Sequence, residues 1–132
     1  MYVNGRVFPK HTGVQKLRDP YVYRNRKYKT EEEYWLAILL SQRGIHFYYE
    51  LINFPGWVPD FVLHKPYQWN GTPYPGSRVW GIELKWLSPL RQEWIDRSVG
   101  LWRTYRIPIL ILSRADLELY FRDGNLPLET LH

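Results

Sequence analysis

The sequence contains no cysteine and a single methionine among its 132 residues. A disulfide framework and a thiolate zinc site are both excluded, and the four histidines, His11, His46, His64 and His132, fall at no metal-motif spacing. Long hydrophobic runs are missing too. The longest strongly apolar stretch, Ile107 to Leu112, is far short of a membrane span, and the opening "MYVNGRVFPKH" lacks the apolar centre of a signal peptide. These absences predict a soluble, cytoplasmic protein with no membrane partner. Anionic charge is scarce at one end only. Residues 1–29 hold eight Lys or Arg against Asp19 alone, a net of +7, whereas residues 30–132 hold ten cations and twelve anions, a net of −2.

What is present is apolar and aromatic. Hydrophobic residues make up 45% and aromatic residues 17% of the chain, enough for one sizeable core at this length. Residues 30–132 therefore read as one domain, preceded by a basic arm over 1–29. In that arm Tyr21, Tyr23 and Tyr28 interleave with Arg24, Arg26, Lys27 and Lys29. The mixture suits phosphate contacts combined with base stacking, as nucleic-acid binders use. The plain alternative is a solvated basic segment packed against the domain.

"TEEEYWLAILLSQRG" predicts a helix over about 30–43. Thr30 with Glu33 forms a capping-box pattern, Tyr34, Trp35, Ile38 and Leu39 recur at helical spacing, and Gly44 is placed to end it. Strands follow at 45–54 and 57–64, then a loop over 65–78 with three prolines and two glycines, then a strand at 79–86. Ser88 and Pro89 open a helix to about Tyr105, with Leu90, Trp94, Leu101 and Trp102 toward the core. "IPILILS" (107–113) reads as a strand covered on both faces. "SRADLELYF" starts as a capped helix, though its alternation leaves a strand open. The order predicts an α/β fold: an αβββαβ core with a central mixed sheet flanked by helices.

Within this frame Asp60 is out of place. It sits in "GWVPDFVLH", among apolar residues, where an ionised carboxylate is costly unless something compensates it. In "IELKW", alternation puts Glu83 and Lys85 on one face, opposite Ile82, Leu84 and Trp86. If the two strands are neighbours, Asp60 lies beside Glu83. Two carboxylates at short range repel unless a cation intervenes or one is protonated. A hard divalent cation takes such oxygen ligands. Lys85 is then placed to orient an attacking water or to stabilise charge on a phosphate, and Glu33 adds a third carboxylate.

Pro59-Asp60, Glu83-Leu84-Lys85 and the helical Glu33 together resemble the PD-(D/E)XK nuclease superfamily, with an interval of 23 between Asp60 and Glu83. The resemblance spans about residues 30–115. "ELKWLSPLRQEWI" is similar to the VRR-NUC branch, where Gln92 matches a glutamine near the active site, while "FPGWVPDF" only partly matches that branch's glycine-rich approach. The resemblance implies a restriction-endonuclease-like fold and a metal-dependent endonuclease acting on DNA, with Holliday junctions, branched DNA or simple duplex as substrates in recombination, repair or phage biology. It implies Mg²⁺ or Mn²⁺ held by Asp60, Glu83 and the Leu84 carbonyl with help from Glu33, Lys85 handling the water, and Gln92 assisting. Cutting both strands then requires a homodimer, whereas a monomer nicks.

Each part has a plainer explanation. E-x-K on a strand is commonly a solvated edge, Glu33 is accounted for by capping and the helix dipole, and Gln92 by a surface helix face. Tyr67 and Trp69, with Tyr74 and Trp80, either stack on bases or form a hydrophobic cluster under the loop. A binding module without chemistry, or a subunit active only in a complex, is the alternative function.

Overall fold

The computed structural model describes residues 21–70, 78–85 and 88–130, together with the two short strands β1 (Tyr2–Val3) and β2 (Arg6–Val7), which pair antiparallel. A second hairpin, β3 (Val22–Tyr23) with β4 (Arg26–Lys27), follows. Its two loop residues, Arg24 and Asn25, both take positive φ (50° and 65°), the signature of a turn whose twist matches a β-hairpin.

Helix α1 (Glu31–Gln42) begins where the sequence places it. The Thr30 hydroxyl accepts from the Glu33 N–H at 3.2 Å, and the first turn carries Glu31, Glu32 and Glu33 at the positive end of the dipole. It ends in a Schellman motif: Gly44 adopts φ 70°, its N–H donates to the Ser41 carbonyl, and the Ile45 N–H reaches the Leu40 carbonyl. Residues 32–40 of α1 are buried, as expected for a helix apolar nearly all round. Helix α2 (Ser88–Tyr105) matches its predicted bounds. The segment whose pattern admits either state becomes helix α3 (Arg114–Asp123), because Ser113 and Asp116 form a complete capping box and Leu117 and Phe121 bury one face.

The sheet is mixed and five-stranded. β5 (Phe47–Tyr49) pairs antiparallel with β6 (Phe61–Trp69), β6 antiparallel with β7 (Arg78–Leu84), and β7 parallel with β8 (Ile109–Leu112) through α2. β9 (Leu128–Thr130), which the sequence pattern does not announce, pairs antiparallel with the far half of β6. Helices flank the sheet on both faces. Phe61, Leu63, Ile82, Leu84, Leu110 and Leu112 share one core with α1 and α3. Val62, Ile109 and Ile111 share the other with Leu101 of α2, Phe54 and Trp57. β8 alternates between the two cores and is buried throughout, as its unbroken apolar run predicts.

Several strand boundaries differ from expectation, and three of them have a clear local cause or consequence. The first strand stops at Tyr49 because Glu50 adopts φ 50°, which a pleated strand does not admit. The second strand starts at Phe61 rather than 57, since Phe54–Trp57 is a tight turn with Pro55 second and Gly56 third at φ 71°. It also runs on to Trp69, so residues 65–69 of the expected loop are strand, and 71–77 lie outside the described residues. The basic arm is not separate from the domain at its described end: Tyr28 belongs to the main core, and Tyr21 and Tyr23 pack on it. On α2, Leu101 is buried, Trp94 is packed at the edge of the second core and Trp102 lies under Arg106; the Leu90 side chain and Trp86 lie outside the described residues.

Gly81 of β7 lets the Pro59-Asp60 segment approach. A Cβ there would meet Ile109 Cγ1 at 3.1 Å and Pro59 Cγ at 3.3 Å. Gly81→Val is expected to destabilise the protein by about 1–3 kcal/mol through overpacking, measured as the change in urea midpoint at unchanged slope.

Candidate active site

Asp60 is fixed by three hydrogen bonds. Its N–H donates to Glu83 Oε1 at 3.2 Å, its carbonyl accepts from the Glu50 N–H at 2.9 Å, and its Oδ2 accepts from the Leu84 N–H at 2.9 Å. Pro59, fully buried beside Gly81, sets the chain direction into this position. Asp60 therefore stands just before β6, at the end of β7, and not within a strand.

Glu83 points into the second core and not to a solvated face, being only 4% exposed. Its burial is compensated in full. Oε1 accepts from Trp57 Nε1–H at 3.2 Å as well as from Asp60, and Oε2 pairs with Lys85 Nζ at 3.1 Å. A cation approaching Glu83 would meet Oε2 beside the Lys85 ammonium, since Oε1 already accepts two hydrogen bonds. Lys85, just past the end of β7, is anchored by its N–H to the Leu112 carbonyl at 2.9 Å, and its ammonium lies 4.9 Å from the centre of the Trp94 ring.

A cleft of about 200 Å³ opens here, lined by Lys29, Thr30, Glu33, Glu50, Asp60, Leu84 and Lys85. Asp60, Glu33, Leu84 and Lys85, singled out from the sequence, are thus gathered in one place. Glu50 was missed, because only its left-handed backbone turns it into the cleft. Its carboxylate pairs with Lys29 Nζ at 2.7 Å, which ties the basic segment to the cleft wall. Glu33 Oε1 accepts from the Thr30 hydroxyl at 3.1 Å, so its capping role and its place in the cleft coexist.

Gln92 is elsewhere. It is exposed on α2, donates to Asp96 Oδ1 at 3.0 Å and does not line the cleft. Tyr67 and Trp69 are also corrected: they belong to β6, are 7% and 2% exposed, and pack in the main core, where they have no face to offer a base. Neither do they form a cluster under a loop, since both are strand residues of the main core. Trp80 is partly buried, with Nε1–H bonded to the Leu63 carbonyl, and Tyr74 lies outside the described residues. Arg24, Arg26, Lys27 and Lys29 are exposed along the β3–β4 hairpin and the turn after it. Arg24 lies over Tyr23, and Arg26 over Phe47.

Burial raises the Asp60 carboxyl to about 7, helped by the charges of Glu83 and Glu33 and opposed by the Leu84 N–H and Lys85. Burial likewise pushes Glu33 up, while hydrogen bonds from Tyr49 and Thr30 hold it down in part. The Tyr49 hydroxyl is raised, first by burial and then by the Glu33 charge. Lys29 is raised by its bond to Glu50. Among the described residues no three His, Asp or Glu side chains converge on a single ion position. The donors that do face the cleft are all oxygens, and a buried carboxyl beside two other acids is the kind of ligand a hard cation relieves. Mg²⁺ typically takes one or two carboxylates and completes its shell with water and substrate phosphate, and the carboxylates that line this cleft are those of Asp60, Glu33 and Glu50.

The raised Asp60 has a consequence for stability. Between its ordinary value of 3.8 and about 7 the folded chain holds a proton that the unfolded chain releases. The stabilisation from this group is complete below the lower value and lost as the pH rises through the upper one. Asp60→Asn keeps an acceptor for the Leu84 N–H without the charge. In EDTA it is expected to stabilise the protein by about 2–4 kcal/mol at about pH 8.5 and to match the parent only near about pH 3, below the ordinary carboxyl value, read from urea unfolding at both.

No protein-family model, no curated protein and no solved structure matches the chain.

Proposed function

We propose that this chain is a metal-dependent endodeoxyribonuclease of the PD-(D/E)XK kind, hydrolysing phosphodiester bonds in DNA and directed by DNA structure rather than by an extended sequence. One observation carries the reading: Asp60, Glu83 and Lys85 meet at the end of β7 beside Glu33. The αβββαβ order of α1, β5, β6, β7, α2 and β8 accompanies it.

Asp60 and the Leu84 main chain would hold Mg²⁺ or Mn²⁺, with Glu33 at the same cleft. Such an ion, when bound, supplies positive charge against the charge that develops on the phosphate. Lys85, at the cleft wall, orients the water that attacks phosphorus and faces the phosphate oxygens as a fixed cation. Glu83 keeps Lys85 in place through Oε2. Glu33, whose raised carboxyl carries a proton more readily than usual, is placed to exchange protons in the cleft. Lys29 borders the cleft, and the exposed Arg24 and Arg26 of the β3–β4 hairpin just before it offer further cations to a phosphate backbone. Cleavage of both strands would call for two copies of the chain.

A second reading draws on Glu83, which is buried and whose two oxygens are both held, by Trp57, Asp60 and Lys85. On that reading the acids are structural and the protein binds nucleic acid without cutting it, alone or as a subunit of a complex.

Incubation with supercoiled plasmid, linear duplex, single strand, flap and four-way junction, in Mg²⁺, Mn²⁺ or EDTA, separates the two. Cleavage is expected to need metal and to fall by at least about 100-fold in both Asp60→Ala and Lys85→Ala. Binding that survives EDTA with no cutting by any combination would leave the second reading. Replacing Arg24, Arg26 and Lys27 together by Gln is expected to weaken DNA binding uniformly across sequences. The slope of log Kd against log salt should fall by about 1 for each phosphate that is no longer neutralised, measured by fluorescence anisotropy.

A further inference from the structure

We propose that Trp94 is a positioning residue that aims Lys85 into the cleft; the inference rests on Lys85 acting in hydrolysis. The sequence marks Trp94 only as a core position of α2. In the fold its ring centre lies 4.9 Å from Lys85 Nζ and 4.9 Å from the centre of the Trp57 ring. Trp57 donates to Glu83 Oε1, and Glu83 Oε2 returns to Lys85. Lys85, Glu83, Trp57 and Trp94 thus form a closed ring of interactions at the back of the site. Arg97 seals its outside, 4.8 Å from the Trp94 centre and 5.5 Å from that of Trp57, with its guanidinium bonded to the Gly56 carbonyl.

The two holds on Lys85 differ in kind. Glu83 attracts the ammonium but also neutralises its field toward a phosphate. An indole face attracts a cation through its quadrupole while carrying no net charge, so it fixes the direction of the lysine without cancelling what the lysine supplies. A lysine stem has four carbons and many rotamers. Held at Glu83 Oε2 alone, it could pivot; with Trp94 on a second side, its tip is confined between the carboxylate and the ring. When Glu83 turns toward another cation, the ring still retains Lys85 beside the cleft. Trp94 therefore acts on the reaction through Lys85 and touches no reacting atom.

The test compares the parent with Trp94→Leu and Trp94→Phe, labelled with ¹³C at the lysine ε-carbon, the Lys85 signal being assigned by its loss in Lys85→Arg. Ring current from Trp94 is expected to place the Lys85 ε-proton resonance upfield of the other lysines. Trp94→Leu should return it to the ordinary position, and Trp94→Phe should restore part of the shift. With the cleaved substrate, kcat should fall about tenfold in Trp94→Leu at a KM within about twofold of the parent, and Trp94→Phe should recover most of it. A Lys85 resonance already at the ordinary position in the parent overturns the proposal, whether or not either variant folds. So does a loss of thermal stability and kcat that is equal in the Leu and Phe variants, since that marks Trp94 as packing alone. An upfield resonance in a chain that cuts no substrate overturns the catalytic use of Lys85, and so the nuclease reading, while leaving the Lys85–Trp94 pairing itself in place.

Discussion

The paired hydrogen bonds between Asp60 and the end of β7 are the constraint from which the site follows. Asp60 gives its N–H to Glu83 and takes the Leu84 N–H on its own carboxylate. A segment with no strand geometry is thereby joined to the last residues of a strand, and two carboxylates are brought into the same buried corner. The charge cost of that arrangement appears in the raised Asp60 carboxyl. Geometry permits the approach because Gly81 has no side chain where Pro59 packs. Lys85 and Trp57 supply the donors that make Glu83 tolerable at such depth.

Around this corner the two apolar cores divide the labour. The core shared with α1 and α3 holds the sheet against α1, whose first turn brings Thr30 and Glu33 to the cleft. The core under α2 closes the back of Glu83 with Trp57 and Trp94. The cleft between them is polar because each wall is the end of an element. One is the cap of α1, one the exit of β7, and one the strained residue Glu50 after β5. Residues held at positive φ without being glycine persist only where their surroundings over-determine them, and Glu50 is bonded both through its N–H and through Lys29.

Cations are placed in two ways. Lys85 and Arg97 rest on indole faces, with Lys85 also paired to an acid, so the α2 side of the site is a layer of alternating cations and rings. Lys29, Arg24 and Arg26 also have ring or acid partners, in Glu50, Tyr23 and Phe47, but they stand exposed on and just after a hairpin next to Tyr28, whose ring packs on Tyr49 and Phe61. The first arrangement serves a fixed charge inside a cleft. On the proposed function the second would suit an extended polyanion, for which reach matters more than fixed direction.

Local rules made α1, α2, β8 and the capped start of α3 legible from the sequence, because caps, helical spacing and an unbroken apolar run act over a few residues. The same rules made Asp60 conspicuous, since it offends the pattern around it, and alternation put Glu83 and Lys85 on one face where they could answer it. Gln92 satisfied a motif yet stands on the outer face of α2, bonded to Asp96, because spacing along a helix fixes a face but not what that face meets. Tyr67 and Trp69 read as loop aromatics because Pro66 and the glycines after them suggested a break. Pairing with β7 and with β9, a partner about 60 residues away in sequence, made them strand and core instead. Neither the place of Glu50 nor the pairing of Trp94 with Lys85 carried a local signal: one depends on a backbone angle, the other on α2 crossing over the Trp57 turn. Local patterns in the chain fixed the three helices, the buried strand β8 and the charged residues that needed an explanation. Which of them share a cleft follows from long-range strand pairing and burial, because these set the distances and no local periodicity encodes them.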